Sequence, residues 1–130
     1  MIVEGYAALF GVADLERDIV HRGAFRRSIA ERHTAPMLLR HDSRLRAGVW
    51  FALREDVRGL FVRGRIEADA PAGALAMRLI GEGVDGLSIG FRTLVQRKRA
   101  DGRDLYDLDL IEISIVPRPM APRARLSRAL

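Results

Sequence analysis

The chain has 130 residues, of which 48% are hydrophobic and 30% charged, so it fits one folded domain with its own core. It contains no cysteine, which excludes disulfides, thiolate nucleophiles and cysteine-bound zinc. No apolar run is long enough to span a membrane and the first residues do not resemble a signal peptide, so we expect an intracellular protein. The net charge of +5 comes almost entirely from arginines interleaved with acids, which favours a solvated surface over a nucleic-acid-binding one.

The first part of the chain is predicted to be mostly extended. Ile2 to Phe10 has the composition of a strand, and the charged run at 14–18 is typical of a loop. A short helix is expected next, because Phe25 and Ile29 lie four residues apart among polar neighbours. The apolar residues 37–39 then predict a short buried strand.

The middle of the chain predicts a hairpin and a second helix. Residues 49–53 and 60–66 alternate in character on either side of a turn, which indicates two paired strands. Asp69 is predicted to cap the helix that follows, and Gly81 or Gly83 is predicted to end it.

Two longer strands complete the predicted secondary structure. One contains Ser88 and continues through Val95, and the other extends from about residue 105 to Val116. The pair Asp101-Gly102 between them indicates a turn.

Many strands with two short helices, and no regular strand–helix alternation, define the predicted fold class. We expect a mainly β protein with short helices (α+β), built as a closed or nearly closed antiparallel β-barrel. Residues 1–117 are predicted to form the folded domain. Residues 118–130 are predicted to form a loosely ordered, basic, proline-containing C-terminal tail.

Ser88 lies where glycines alternate with large apolar residues, and the segment reads Gly86-Leu87-Ser88-Ile89-Gly90-Phe91. On a strand the small residues share one face, so the flanking glycines would leave room for a substrate backbone beside a nucleophilic hydroxyl. The same pattern fits a strand of small residues packed under a neighbouring element. The letters also match the G-x-S-x-G turn of α/β-hydrolases, but that turn is followed by a helix and by a later histidine, and this sequence provides neither.

A serine nucleophile requires a base, and the chain has three histidines. His21 and His33 lie in polar stretches and are predicted to be surface residues. His41 directly follows the apolar residues 37–39 and is therefore the candidate base, although a structural role remains open. Asp42 points to the opposite side if the strand continues, which weakens it as a partner for His41.

Glu112 is the third candidate, because it shares a predicted strand face with Leu108 and Leu110. A carboxylate buried on such a face requires a partner. A histidine would suit it, since the carboxylate would hold the ring in one tautomer. An ion pair with one of the many arginines is the alternative, and both readings remain open.

Short motifs spread over most of the chain carry a family resemblance. They are Gly5-Tyr6-Ala7 with Phe10-Gly11, Gly23-Ala24-Phe25, Arg40-His41-Asp42 with Gly48-Val49-Trp50, Arg58-Gly59-Leu60, the Ser88 segment, and Asp109-Leu110-Ile111-Glu112-Ile113-Ser114-Ile115-Val116. Together they resemble the prohead (capsid maturation) serine proteases of tailed phages and phage-derived gene transfer agents, whose fold is similar to that of the herpesvirus assembly proteases. The sequence departs from the family at Arg46, where proline is frequent, and at Ala121, where asparagine is common.

The resemblance implies that Ser88 is the nucleophile, His41 the general base and Glu112 the third member of the triad. The herpesvirus relatives use a second histidine in that third role, and this chain has no histidine after His41. The implied function is a serine endopeptidase that cleaves capsid or scaffold protein during prohead maturation.

The resemblance also implies the partners and the place of action. The implied partner is the major capsid protein precursor or a scaffold protein, and a homodimer is a further expectation from the herpesvirus relatives. The implied location is the cytoplasm of the bacterial host and, transiently, the inside of the immature capsid. No cofactor, metal, membrane or nucleic-acid partner is expected. The alternatives are a non-catalytic capsid-assembly binding module of the same fold and a basic nucleic-acid-binding domain.

Overall fold

The structure is a computed structural model that describes residues 1–129, apart from the side chain of Arg128. Eight strands and two helices form the described chain. They are β1 (Ile2–Leu9), β2 (Asp18–Val20), α1 (Arg26–Arg32), β3 (Ala35–Leu39), β4 (Asp42–Glu55), β5 (Gly59–Ile66), α2 (Gly73–Gly81), β6 (Gly86–Arg99), β7 (Gly102–Val116) and β8 (Leu126–Ala129). The predicted mainly β composition with short helices is confirmed. No helix in residues 1–129 has both the length and the apolar character needed to cross a bilayer.

All eight strands belong to one curled sheet with the order β2-β7-β3-β4-β5-β1-β8, and β6 pairs with β7 outside this path. The prediction of a closed or nearly closed antiparallel barrel is wrong in two respects. The sheet is mixed, because β2 and β3 both run parallel to β7. It is also open, since only an isolated bridge between Gly86 and Arg125 links β6 to the β8 side.

The helix α1 explains the parallel pairing. Two strands that enter a sheet in the same direction require a crossover connection, and α1 provides it between β2 and β3. Local alternation in the sequence reports which residues are extended, but it does not report which distant strand each segment will pair with.

The core lies inside the curl of the sheet, and Trp50 is among its largest fully buried side chains. A register shift between Trp50 and Ala52 interrupts the regular alternation of β4, so both Trp50 and Leu53 are buried. The indole nitrogen of Trp50 donates a hydrogen bond to the carbonyl of Ile113 at 3.0 Å. This bond ties β4 to the part of β7 that carries Glu112.

The second helix begins later than predicted. Its N-cap residue is Ala72, which makes no side-chain capping bond, so the prediction that Asp69 caps the helix is wrong. A turn intervenes, in which the Ala70 N–H donates to the Glu67 carbonyl at 3.0 Å. The predicted end is close to the observed one, because Gly81 is the last helical residue.

The residues after Pro117 differ from the loosely ordered tail that was expected. β8 pairs antiparallel with β1, and Ala124 is fully buried. Arg125 forms an ion pair with Asp85 at 2.6 Å, and the Leu87 N–H donates to the Ala124 carbonyl at 2.8 Å. This segment is therefore packed against the sheet up to residue 129, while the last residue of the predicted tail, Leu130, lies outside the described residues.

Candidate active site

His41 lies in the tight turn between β3 and β4. Both residues of this turn, Arg40 and His41, adopt left-handed backbone conformations, with φ angles of 52° and 60°. Such angles are uncommon for residues other than glycine and need support from the surrounding structure. Here β7 supplies it, because the His41 N–H donates to Ser114 Oγ at 2.8 Å and the Arg40 N–H donates to the Ile115 carbonyl at 3.2 Å.

Glu112 lies on β7 and is buried, with 7% of its surface exposed. One carboxylate oxygen, Oε2, accepts a hydrogen bond from His41 Nδ1. The other, Oε1, accepts a hydrogen bond from the Ser114 hydroxyl at 2.8 Å. Of the two partners that the sequence left open for Glu112, the structure contains the histidine.

The contact with Glu112 sets the electrostatics of His41. The hydrogen bond that His41 donates to the Glu112 carboxylate raises the pKa of His41 above its usual value, against the opposing effect of burial. No other residue in the described chain forms a hydrogen bond with the His41 ring, so Nε2 is free to accept a proton. A carboxylate bound to one ring nitrogen is the arrangement that prepares a histidine to act as a base at the other.

Ser88 lies on β6, directly across the ladder from Ser114, and is 8% exposed. It lines a cavity of about 400 Å³ together with His41 and Glu112. Within residues 1–129 there is no direct hydrogen bond between Ser88 and His41. Such bonds are often long or absent in a protease without substrate and form in the complex.

The two glycines beside Ser88 are packed closely against other residues of this chain. A Cβ added at Gly90 would overlap the Glu112 carboxylate, and one added at Gly86 would lie 2.8 Å from the Pro119 ring. Both positions are therefore small because this chain's own residues occupy the space. Gly90 also lines the cavity that holds Ser88, so the prediction that these glycines leave room for a substrate backbone stays a prediction.

Ser114 is the site residue that the sequence reasoning missed. It is fully buried, and its hydroxyl bonds both to the His41 backbone and to the Glu112 side chain. A weak signal was present, since Ser114 lies two residues after Glu112 on the same predicted strand face. A serine in an apolar strand has many ordinary explanations, and its role becomes visible only once β3 is paired with β7.

The remaining candidates lie away from the cavity. His21 bonds to Asp104 at 2.8 Å and stacks on Tyr106 with 4.6 Å between ring centroids. His33 is exposed at the end of α1. Asp42 is bound by Arg44, and the partner of the His41 ring is Glu112 instead.

The rest of the cavity lining is apolar at the base and acidic at the loop that follows β1. Leu87 and Leu105 are among its fully buried apolar residues, and the loop adds Asp14 and Glu16. In the part of the chain that the structure describes, no group of three or more histidine and carboxylate side chains is arranged to hold a metal ion. The cavity thus combines a hydroxyl, an imidazole and a carboxylate, which is the set required for nucleophilic hydrolysis.

Three solved viral proteases share this fold. The chain superposes on the capsid assembly protease of bacteriophage T4 with a TM-score of 0.72, at 14% identity, over 88% of this chain and 80% of that one. The protease of KSHV, solved with a hexapeptide phosphonate inhibitor, gives a TM-score of 0.53 at 16% identity, over 88% and 58% of the two chains. Varicella-zoster virus protease gives 0.52 at 19% identity, over 80% and 56%. The chain therefore shares the fold of these viral proteases, and the predicted likeness to the herpesvirus protease fold is confirmed.

The sequence comparisons narrow this class to one family. The profile of the Caudovirus prohead serine protease family matches residues 1–129, so this chain belongs to that family. The prohead protease of Enterobacteria phage HK97 is 36% identical to it over 93 residues, which are 69% of this chain and 41% of the relative. The chain thus aligns with less than half the length of that relative. The resemblance inferred from the sequence motifs is confirmed.

Proposed function

We propose that this chain is a serine endopeptidase in which Ser88 is the nucleophile, His41 the general base and Glu112 the group that orients His41. The observation that carries the proposal is the hydrogen bond between His41 Nδ1 and the buried Glu112 carboxylate, in a cavity that Ser88 also lines. Membership of the prohead serine protease family supports the catalytic type.

The proposed reaction has two halves. Ser88 Oγ attacks the carbonyl carbon of the scissile bond while His41 Nε2 takes its proton, and His41 then gives that proton to the leaving amine. Water, activated by the same histidine, hydrolyses the acyl-enzyme and restores Ser88. The negative charge of Glu112 stabilises the imidazolium in each half, which agrees with the raised pKa of His41.

The proposed substrate is the major capsid protein precursor or a scaffold protein, cleaved inside the immature capsid. Support comes from the names of the relatives, a prohead protease in phage HK97 and a capsid assembly protease in phage T4. The cytoplasm of the bacterial host, where such shells assemble, is the proposed location.

Co-expression with the major capsid protein precursor from the same phage or prophage tests the proposal. Mass spectrometry should find a processed capsid protein with the wild-type chain and none with Ser88→Ala. Ser43→Ala is the matched control, because Ser43 is exposed on β4 and does not line the cavity. Undiminished processing by Ser88→Ala would overturn the assignment. A wild-type chain that binds the capsid protein without cleaving it would instead support the non-catalytic binding module.

A further inference from the structure

A second cavity meets the first at Ser88. It has a volume of about 440 Å³, and we call it the arginine cavity because its lining includes Arg40 and Arg118 together with Ser88, His41, Val116 and Pro117. A peptide bond attacked by Ser88 would therefore have cavity space on both sides. The two cavities share the reacting groups but differ in the remaining side chains.

The charges of the two cavities are opposite. The first cavity is lined by Asp14 and Glu16 from the loop after β1 and by Asp18 at the start of β2, of which Asp18 is paired with Arg103 at 2.7 Å. The arginine cavity has no aspartate or glutamate in its lining. A negatively charged group beside Ser88 is thus repelled on one side and attracted on the other.

Neither guanidinium of the arginine cavity has a partner in the described part of the chain. Arg40 and Arg118 form no ion pair and no side-chain hydrogen bond there, whereas Arg44, three residues after His41, is bound to Asp42 at 2.9 Å. Both arginines are exposed, so their side chains remain available to a ligand. A guanidinium binds a carboxylate through two parallel hydrogen bonds, which gives geometric selectivity as well as charge.

We propose that the arginine cavity binds an aspartate or glutamate side chain of the substrate close to the scissile bond. Arg118 and Arg40 are then specificity-determining residues of the protease. This inference rests on the proposed function, since it assigns the substrate side chain that the same site selects.

A synthetic library of acetylated, amidated peptides tests the inference, because side chains are then the only carboxylates. The library is digested with the wild-type chain and with Arg118→Glu, and only cleavages that Ser88→Ala abolishes are counted. Wild type should enrich aspartate or glutamate within a few residues on one side of the cleaved bond, on the order of tenfold in kcat/KM. Arg118→Glu should remove this enrichment and favour lysine or arginine at the same position.

Three further variants test whether the acidic preference depends on the positive charge at position 118 rather than on the net charge of the protein. Arg118→Lys should keep the acidic preference, and Arg118→Ala should weaken it without reversing it. Arg65→Glu is the matched control for the change of net charge, because Arg65 is exposed over the Phe51 ring and lines neither cavity. Its preference should equal that of wild type.

The inference fails if Ser88-dependent cleavage shows no acidic enrichment, or if Arg118→Glu keeps the wild-type preference. Both outcomes differ from failure of the proposed function, in which no cleavage depends on Ser88 at all.

Discussion

Gly90 lies directly across the ladder from Glu112, and the Glu112 carboxylate occupies the space that a side chain at position 90 would fill. The carboxylate reaches both His41 and Ser114 from this place. A glycine two residues from the proposed nucleophile therefore shapes the site by admitting the group that holds the base.

Gly90→Ala should displace the Glu112 carboxylate from His41 and lower kcat/KM for capsid processing, by about 10²-fold or more, as loss of an orienting group does. Proton NMR provides a direct check, because the low-field signal of the His41 Nδ1 proton should weaken or shift. Gly81→Ala is the control, since the end of α2 has open space for the added methyl group. Full activity in Gly90→Ala would show that Glu112 tolerates displacement.

Glu112→Gln should change the pH dependence of the reaction as well as its rate. The hydrogen bond that His41 donates to Glu112 raises the pKa of His41, and only neutral His41 can accept the proton, so activity declines as pH falls through that raised pKa. Without the carboxylate, burial alone acts on the ring and lowers its pKa, so the acidic limb of kcat/KM should move to lower pH. The maximal rate should fall by about 10²–10⁴-fold. An unmoved limb would contradict the assignment of His41 as the base.

The same substitution predicts a pH-dependent change in stability. Because the folded-state pKa of His41 is raised, its protonated form stabilises the fold below the unfolded pKa, and this contribution is lost as pH rises through the folded pKa. The difference in unfolding free energy between wild type and Glu112→Gln should therefore be larger at acid pH and narrow toward alkaline pH. Urea denaturation at several pH values measures it, and a constant difference would argue against a protonated pair.

Ser114→Ala should lower kcat by about tenfold or more with little change in KM, because Glu112 loses a hydrogen bond and the His41 backbone loses its acceptor. Ser28→Ala is a matched control. Ser28 is also buried and its hydroxyl also forms two bonds, with the Leu108 carbonyl and the Leu110 N–H, each at 2.9 Å, away from the cavity. Both variants should lose about 1–3 kcal/mol of stability, but only Ser114→Ala should lose turnover. Equal kcat in the two variants would show that Ser114 has only a structural role.

Removal of residues 118–130 should lower the melting temperature and expose the edge of β1. The deletion eliminates β8 and the acceptor that the Ala124 carbonyl provides for the Leu87 N–H. An uncovered strand edge is prone to pairing with other chains, so the truncated protein should also associate. Calorimetry and light scattering measure these effects, with Arg123→Ala as a control that removes only an exposed charge. An unchanged melting temperature would mean that the segment is a dispensable tail.

Much of the secondary structure could be predicted, and three residues could be singled out as candidates, because the signals are local. Their roles as a triad were implied only by the family resemblance. Alternation identified the strand that carries Ser88, and the apolar residues before His41 indicated a strand end. The position of Glu112 among apolar neighbours signalled a buried carboxylate that needs a partner. Each of these inferences depends on a few residues that are adjacent in sequence.

The sheet order and the function of Ser114 could not be predicted, because they depend on pairing between distant residues. Met37 lies beside Ile113 in a parallel register, and no pattern within either segment specifies this. The bulge at Trp50 likewise follows from how β4 fits against β5. Only the opposite residue, Glu112, explains why position 90 is a glycine.

Trp50 is the single tryptophan of the chain, and it is fully buried with its indole bonded to the carbonyl of Ile113. Ile113 lies between Glu112 and Ser114, so this indole is in contact with the strand segment that holds the proposed base in place. Its fluorescence therefore gives the protein a natural optical probe. The emission spectrum should change in a variant in which β7 is distorted. It should match that of wild type in a variant that has lost only catalytic activity, and no added label is needed.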